Sequence, residues 1–366
     1  LGTDPNDPTS PLENKLTASD GAADDWFGYS VSIDGDTAII GAIFDRDNGD
    51  FSGSAYVFVR SNGVWSEQQK LTASDGEAYD QFGWSVSIDG DTALIAAYGD
   101  GSYSGSAYVY VRSNGVWSEQ AKLTASDAAT TSDYFGYSVA IDGDTAVIGA
   151  YWDDDNGSNS GSAYVFVRSN GVWSEQQKLT ASDGAAGDYF GSSVAIDGDT
   201  VVIGAHWDDD NDYNSGSAYV YVRSNGVWSE QAKLTASDGA SRDFFGYSVA
   251  IDGDTALIGA YADNDNGANS GSAFMYVRSN GVWSEQAKLT ASDRAQYDDF
   301  GYSVSIDGDT AVIGAYGDND NGYDSGSAYI LPLSSYLNTS ELINVPAMSG
   351  IGLLALGLSM LGLGAV

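Results

Sequence analysis

The sequence contains no cysteine, five prolines, one histidine and only 14 basic residues among 366. The absence of cysteine excludes disulfides, thiol catalysis and cysteine-ligated metal centres. The 52 acidic residues leave a formal net charge of −38, which repels nucleic acid and anionic lipid, so neither is an expected partner. With 46 glycines and 12% aromatic residues, the composition indicates many strands joined by tight turns rather than disorder.

One unit of about 55 residues recurs six times along the chain. Each copy contains the hexapeptide KLTASD, then a Phe-Gly pair, then IDGDT. The copies of KLTASD begin at Lys15, Lys70, Lys122, Lys178, Lys233 and Lys288. Such a period indicates a supersecondary element that buries its apolar faces by packing against its neighbours.

Each unit predicts four antiparallel strands. In the first unit, residues 29–33 alternate with period two, and residues 37–42 form an apolar run that suits burial on both faces. Residues 53–60 form the third strand, and Asn62-Gly63 predicts a type I′ hairpin into a fourth strand at residues 64–74. Four antiparallel strands per unit are typical of a β-propeller blade.

The number of strands predicts how the ring closes. A fourth strand follows the third in five units, whereas the sixth unit lacks it. Residues 12–20, LENKLTASD, match the end of a fourth strand, so the N-terminal strand can complete the last blade. The prediction is an all-β, six-bladed β-propeller of four-stranded antiparallel blades. A linear β-solenoid is the alternative, but it would not need a split sixth unit.

The ends of the chain add three further predicted segments. Residues 1–11 form an N-terminal extension, residues 12–333 the propeller, residues 334–344 a linker and residues 345–366 an apolar C-terminal segment. The C-terminal segment is uncharged over 22 residues, long enough to cross a bilayer as a helix; a buried core helix is the alternative. The chain starts at Leu1 rather than Met, which favours a targeting segment that has been removed.

The Phe-Gly pairs and the later Gly-Ala, as in Gly41-Ala42 followed by GSAYVF, resemble the FG-GAP repeat. The resemblance covers residues 12–331 and implies a propeller like that of integrin α-subunits and many bacterial surface proteins. This chain departs from the family in two features. The family often has proline after Gly-Ala, whereas other residues stand there in this chain, and the integrin-type propeller has seven blades, whereas this chain supplies six. The family's calcium loop between the first two strands cannot be carried over, because residues 34–36 are too few to surround an ion.

The C-terminal segment resembles bacterial sorting signals of the IPTL/PEP-CTERM type. The resemblance rests on VPAMS followed by an apolar stretch, and the basic cluster that ends such signals is absent. It implies a bacterial protein that is secreted or displayed on the cell surface, with membrane anchoring or sorting through the C-terminal segment.

The loops between the second and third strands are candidate calcium sites. Aspartates at i and i+2 recur there beside a flexible glycine, and calcium accepts such oxygen ligands with loose geometry. No late Glu supplies a bidentate ligand, and a plain Asp/Asn/Gly turn is the alternative. The candidate metal ligands are Asp45, Asp47, Asp50, Asp153, Asp155, Asn156, Asp208, Asp210, Asp263, Asp265, Asp318 and Asp320.

The same loops carry the candidate ligand-binding residues. Because strand direction alternates within a blade, these loops and the connections between units lie on one face of the disc, where nearly all differences among the repeats fall. Aromatic rings beside carboxylates and amides suit sugars or a protein partner, although they could equally pack the loop bases. The candidates are Trp152, Trp207, His206 and Tyr213, with Tyr103 in a similar loop.

Catalysis has little support in the sequence. His206 is the only histidine, and no Ser/His/Asp or metal–histidine arrangement surrounds it. Acidic pairs are so frequent that no single pair indicates glycoside hydrolysis. The sequence therefore predicts a non-enzymatic binding or adhesion module for an extracellular protein or carbohydrate. The alternatives are a structural or self-assembling surface protein and a carbohydrate-active enzyme.

Overall fold

The computed structural model describes residues 15–127, 132–320, 322 and 325–337. Within these residues the chain forms six antiparallel sheets, and hydrogen-bonded neighbours follow one another along the chain. Five sheets have four strands and the last has three, which confirms the predicted six-bladed β-propeller of antiparallel sheets.

Each sheet is one blade, and the blades are numbered along the chain. Blade 1 contains β1 (Phe27–Asp34), β2 (Thr37–Ala42), β3 (Ser54–Ser61) and β4 (Val64–Leu71), and blade 2 contains β5 (Val86–Asp89), β6 (Thr92–Ala97), β7 (Ser106–Ser113) and β8 (Val116–Leu123). Blade 3 contains β9 (Phe135–Asp142), β10 (Thr145–Ala150), β11 (Ser162–Ser169) and β12 (Val172–Leu179), and blade 4 contains β13 (Ser193–Asp197), β14 (Thr200–Ala205), β15 (Ser217–Ser224) and β16 (Val227–Leu234). Blade 5 contains β17 (Ser248–Asp252), β18 (Thr255–Ala260), β19 (Ser272–Ser279) and β20 (Val282–Leu289), and blade 6 contains β21 (Phe300–Asp307), β22 (Thr310–Ala315) and β23 (Ser327–Pro332).

Local sequence explains the strand boundaries. Asn62 and Gly63 both adopt positive φ angles, 52° and 80°, as the predicted type I′ hairpin between β3 and β4 requires. The second strand of blades 2, 3 and 4 is buried along its whole length, as its continuous apolar run predicts. The fourth strand ends at Leu71, three residues before the predicted end.

The core lies between blades rather than inside them. Ile39 and Val57 of blade 1 pack against Ile95 and Tyr108 of blade 2, and similar clusters join later neighbours. The tryptophans at the second position of the fourth strands are buried in blades 2 to 5, as in Trp117, whose Nε1 donates to Gln68 of blade 1. The sheet faces are therefore stabilised only when a neighbouring blade covers them.

Neighbouring blades approach each other closely at glycines in each joint. Gly216, before β15, has a φ of +83°, and a Cβ placed on it would lie 2.1 Å from the carbonyl oxygen of Phe245. Parallel bridges such as Gly216↔Phe245 tie the loop of one blade to the Phe-Gly pair of the next. The Phe-Gly and Gly-Ser residues that repeat along the sequence are thus the contact points of the joints.

The chain ends differ from the rest of the propeller. Among the described residues, no fourth strand pairs with β23. Of the predicted closing segment, residues 12–20, the structure describes residues 15–20, which form no strand, and the predicted helical segment 345–366 lies outside the described residues. A 3₁₀ helix, Leu333–Ser335, lies across the predicted boundary between the propeller and the linker. Leu16 and Ala18 pack against blade 1. The described part of the chain holds no helix that is both apolar and long enough to cross a membrane.

Candidate binding face

The loops between the second and third strands and the connections between blades meet at one face of the propeller, which we call the loop face. Backbone hydrogen bonds join them, as when Tyr79 N–H donates to the Asp50 carbonyl oxygen at 2.7 Å. In each of blades 1 to 5, the loop is thus bonded to the connection that leads to the next blade.

Aromatic side chains form an unbroken array across the loop face. Ring centroids lie 4.8 Å apart between Tyr29 and Trp84, and 5.7 Å between Trp84 and Tyr137. At the other end, the centroids of Tyr247 and Tyr302 lie 5.0 Å apart. The array comprises Trp26, Tyr29, Phe44, Trp84, Tyr98, Tyr134, Tyr137, Tyr151, Trp152, Tyr189, His206, Trp207, Phe244, Tyr247, Tyr261, Tyr302 and Tyr316.

Sequence reasoning found only part of this array. It identified Trp152, Trp207 and His206, but not the central rings contributed by the residues that follow Phe-Gly. The available signal was that this position is aromatic in five of the six units. Burial among the rings raises the pKa of Tyr98 to about 12, so the array is uncharged at neutral pH although many carboxylates lie around it.

His206 belongs to the aromatic array. Its ring lies 5.4 Å from that of Tyr247, and its Nδ1 lies 2.8 Å from Ser192 Oγ. Part of its surface is accessible, yet burial among the rings lowers the pKa of the imidazole to about 3. The side chain is therefore neutral at physiological pH, with a stacking and hydrogen-bonding role.

A cavity of about 540 Å³ opens on the loop face between blades 4 and 5. Trp207 and Tyr213, two of the predicted ligand-binding residues, line it, and their side chains are 39% and 52% exposed. The Arg242 guanidinium lies 5.5 Å from the Tyr213 ring centroid and also lines the cavity. The remaining lining includes Phe244, Asn214, Asn264 and Asn269. Trp152 lies outside this cavity, and its ring meets that of Tyr134 edge to face, with the centroids 4.6 Å apart.

The acidic loops surround lysine ammonium groups. In blade 1, Lys70 Nζ lies 2.8 Å from Asp45 Oδ2 and 2.6 Å from Asp47 Oδ2. It also lies 2.8 Å from Oδ2 of Asp20, the last residue of the preceding KLTASD copy, whose other oxygen lies 2.7 Å from the Tyr56 hydroxyl. We call these groups the lysine clusters; the other four are centred on Lys122, Lys178, Lys233 and Lys288.

Charge pairing and burial shift the pKa values of the carboxyl groups in opposite directions. The ammonium of Lys288 holds the pKa of Asp265 below its usual value. Asp188 and Asp243, two residues before Phe-Gly pairs, have no lysine partner, and burial raises the pKa of each to about 6. Their side chains instead accept hydrogen bonds from the backbone, as from Ala240 N–H to Asp243.

Most of the predicted calcium ligands are members of lysine clusters. Asp50 and Asn156 lie in the same loops, but neither side chain is a partner of the cluster lysine. Asp318 and Asp320 lie with Asp293 in a group that contains no lysine among the described residues. The cluster members are Asp45, Asp47, Asp153, Asp155, Asp208, Asp210, Asp263 and Asp265.

Two acidic groups have a geometry that could hold a metal ion. In each group, one oxygen from each of three carboxylates lies within 4.8 Å of the others. The first group is Asp127, Asp153 and Asp155, where Lys178 already supplies a positive charge. The second group is the one in blade 6.

Comparison with known proteins agrees with this architecture. A family model described as FG-GAP repeat matches residues 12–58, 65–110, 117–166, 173–221, 228–276 and 283–331. Integrin alpha-6 from Gallus gallus is 32% identical over an alignment of 131 residues that covers 32% of this chain. The match covers only 12% of the integrin's own length.

Proposed function

Because the chain belongs to the FG-GAP repeat family, we propose that it is a non-enzymatic binding or adhesion module whose loop face holds the partner. The proposal places it outside the cell, as a secreted or surface-displayed bacterial protein sorted or anchored through residues 345–366. The observation that carries the proposal is the cavity lined by Trp207 and Tyr213, which opens beside the aromatic array.

The cavity favours a carbohydrate over other partners. Exposed rings offer flat apolar faces for sugar C–H groups, while Asn264, Asn269 and Arg242 offer hydrogen-bond donors for hydroxyl groups. The guanidinium also offers a positive charge within an acidic surface, which would suit a uronic acid or another carboxylated sugar. An extracellular protein is the second candidate, which the similarity to an integrin α-subunit favours.

Replacing Trp207 by Ala should weaken binding to a captured polysaccharide by at least about tenfold, because aromatic anchors carry much of the binding energy. Immobilised acidic and neutral polysaccharides and matrix proteins would be screened first, followed by titration calorimetry. The matched control is Val227→Ala, an exposed side chain at the opposite end of blade 4. Equal loss in both variants, or binding only to proteins, would contradict the carbohydrate proposal. Turnover of a polysaccharide would contradict the proposal that the module is non-enzymatic.

Calcium stabilisation is the second part of the proposal. The carboxylate oxygens of Asp127, Asp153 and Asp155 lie within 4.8 Å of one another, as a calcium site requires, although a calcium ion would have to displace Lys178. Calcium at a hundredfold excess over its Kd would stabilise the fold by about 2.7 kcal/mol. The test is the melting midpoint in millimolar calcium against chelator.

Magnesium at the same ionic strength is the control for the calcium experiment, because any divalent salt screens repulsion in a chain of charge −38. A midpoint that calcium and magnesium raise equally, or that neither raises, would exclude specific calcium binding.

A further inference from the structure

The arginines of this chain lie in two kinds of surroundings. Five of the eight lie near the ends of the third strands, away from the loop face, and each forms an ion pair with an aspartate of its own blade. In blade 4, for example, Arg223 Nε lies 2.6 Å from Asp199 Oδ1. The other three, Arg46, Arg242 and Arg294, lie on the loop face, where none of them forms an ion pair with a described residue.

Arg242 is the arginine that lines the cavity between blades 4 and 5. Its side chain is exposed, and its guanidinium lies over the ring of Tyr213. The backbone N–H of Arg242 donates to the Tyr213 carbonyl oxygen at 2.8 Å, and Ser241 Oγ donates to the same oxygen at 3.2 Å. The connection that carries Arg242 is therefore bound to the loop of blade 4, which holds the guanidinium at the cavity.

The rings of this cavity come from both sides of the joint. The centroids of Trp207, from blade 4, and Phe244, from the connection, lie 6.2 Å apart, with 32° between the ring planes. Tyr213 adds a third ring, and Asn264 and Asn269 add amide groups from the loop of blade 5. A sugar ring can lie against the aromatic faces and bond to the amides, so the donors of the guanidinium remain for an acidic group.

No other unit repeats this combination of residues. Trp152 is the only other tryptophan at the position of Trp207, and the connection after it has glycine at the position of Arg242. The residues equivalent to Arg242 are Asp24, Tyr79, Ser132, Gly187 and Tyr297. The repeat therefore supplies one guanidinium of this kind to the loop face, beside one set of exposed rings.

Two carboxylates lie next to the cavity in the loop of blade 4. Asp209 accepts the backbone N–H of Asn214, and Asp212 accepts that of Tyr213 at 2.8 Å. Both aspartate side chains are exposed, and the whole chain carries a net charge of −38. A ligand carboxylate that does not reach Arg242 would therefore be repelled, whereas one that does would gain a charge-assisted hydrogen bond.

We propose that this cavity binds a glycan through a single carboxylate, which pairs with Arg242 while the sugar rings lie against Trp207 and Tyr213. The inference rests on the proposed carbohydrate-binding function and specifies its ligand class. One guanidinium on so acidic a surface compensates one carboxylate. An otherwise neutral oligosaccharide with one uronate therefore binds more tightly than a polyuronate of the same length, and Arg242 determines this specificity.

The test uses probes that differ in charge alone. Neutral oligosaccharides are immobilised beside the same chains with one terminal glucuronate, beside the methyl esters of those glucuronates, and beside oligogalacturonates of equal length. The singly charged probe should bind at least about tenfold more tightly than its methyl ester, because a hydrogen bond between charged groups is stronger than a neutral one. Oligogalacturonate should bind more weakly than the singly charged probe, by a margin that decreases as salt screens the repulsion.

Variants of two arginines show whether the carboxylate meets Arg242. Arg242→Gln should reduce binding of the singly charged probe to the level of its methyl ester. Arg46→Gln removes the same charge from the loop face in blade 1, outside the cavity, and should leave both affinities unchanged. Arg242→Lys should recover part of the affinity, because it restores the charge without the planar donor fork. Equal losses in Arg242→Gln and Arg46→Gln would assign the effect to the overall charge of the face and overturn the inference.

The remaining outcomes separate this inference from the proposed function. Equal binding of the singly charged probe and its methyl ester, with both lost in Trp207→Ala, would refute the carboxylate site and support a carbohydrate-binding cavity. Tightest binding to oligogalacturonate would refute the single-carboxylate site in the same way. If none of the oligosaccharides binds, the carbohydrate proposal and this inference are both wrong.

Discussion

Replacing Lys233 by Met should lower the free energy of unfolding by about 3 kcal/mol. The lysine Nζ lies 2.8 Å from Asp208, whose side chain is almost completely buried, and 2.5 Å from Asp210. Removal of the ammonium leaves a buried carboxylate without its counter-charge, which costs far more than the loss of an exposed ion pair. Urea-induced unfolding monitored by tryptophan fluorescence would measure the loss.

Two companion variants separate the buried from the exposed charges in this cluster. Asp210→Asn removes a side chain that is 59% exposed, so it should change stability by less than about 1 kcal/mol. The double variant Lys233→Met/Asp208→Asn should recover part of the loss, because it also removes the buried charge. A Lys233→Met protein as stable as the wild type would show that the lysine clusters do not hold the blades together.

The loss of unfolding free energy caused by Lys233→Met should also depend on pH. Burial alone would raise the pKa of Asp183, but hydrogen bonds from Lys233 and Tyr219 hold it below its usual value. A carboxyl group with a lowered folded-state pKa contributes stability above its unfolded pKa of about 3.9, and this contribution is lost as the pH falls through the folded value. The wild type and the variant should therefore differ most at neutral pH and converge towards acid.

Replacing Gly216 by Ala should destabilise the propeller by at least about 3 kcal/mol, as the sum of a left-handed backbone strain and a backbone clash. The added Cβ would lie 2.1 Å from the oxygen and 2.6 Å from the nitrogen of Phe245, and neither backbone atom can move without opening the joint between blades 4 and 5. The measurement is again urea-induced unfolding.

Gly226 provides a matched control for this substitution. Its φ of +79° is close to that of Gly216, but no atom lies within 4 Å of its Cβ position. Gly226→Ala should therefore cost only the backbone strain, about 1–2 kcal/mol. Equal losses in the two variants would mean that the close approach between blades contributes nothing beyond backbone conformation.

Local patterns were sufficient to predict the blades. The period-two segments, the apolar second strands and Asn62-Gly63 each act within a few residues, and the structure confirms them. The lysine clusters could not be found in this way, since Lys70 meets an aspartate 50 residues earlier and another 25 residues earlier. The acidic loops alone therefore predicted a metal site, but they gave no sign of the ammonium group that most of these aspartates contact.

The aromatic array shows the same difficulty. Tyr29, Trp84 and Tyr137 come from successive units about 55 residues apart, and each lies in or just before the first strand of its own blade. Only the ring arrangement brings them into contact, with centroids 4.8 and 5.7 Å apart. A comparison of the position after Phe-Gly across all units would have indicated a shared environment, although not its location beside the cavity.

The division of each KLTASD copy between two lysine clusters affects how the protein tolerates changes in length. Lys70 serves blade 1, while Asp75 of the same copy serves Lys122 in blade 2. A gene that gained or lost one whole unit would preserve a lysine and an aspartate for every remaining joint. Recombination between the near-identical repeats would then be limited by the curvature of the ring, not by side-chain chemistry, and blade number could vary while every joint stayed complementary.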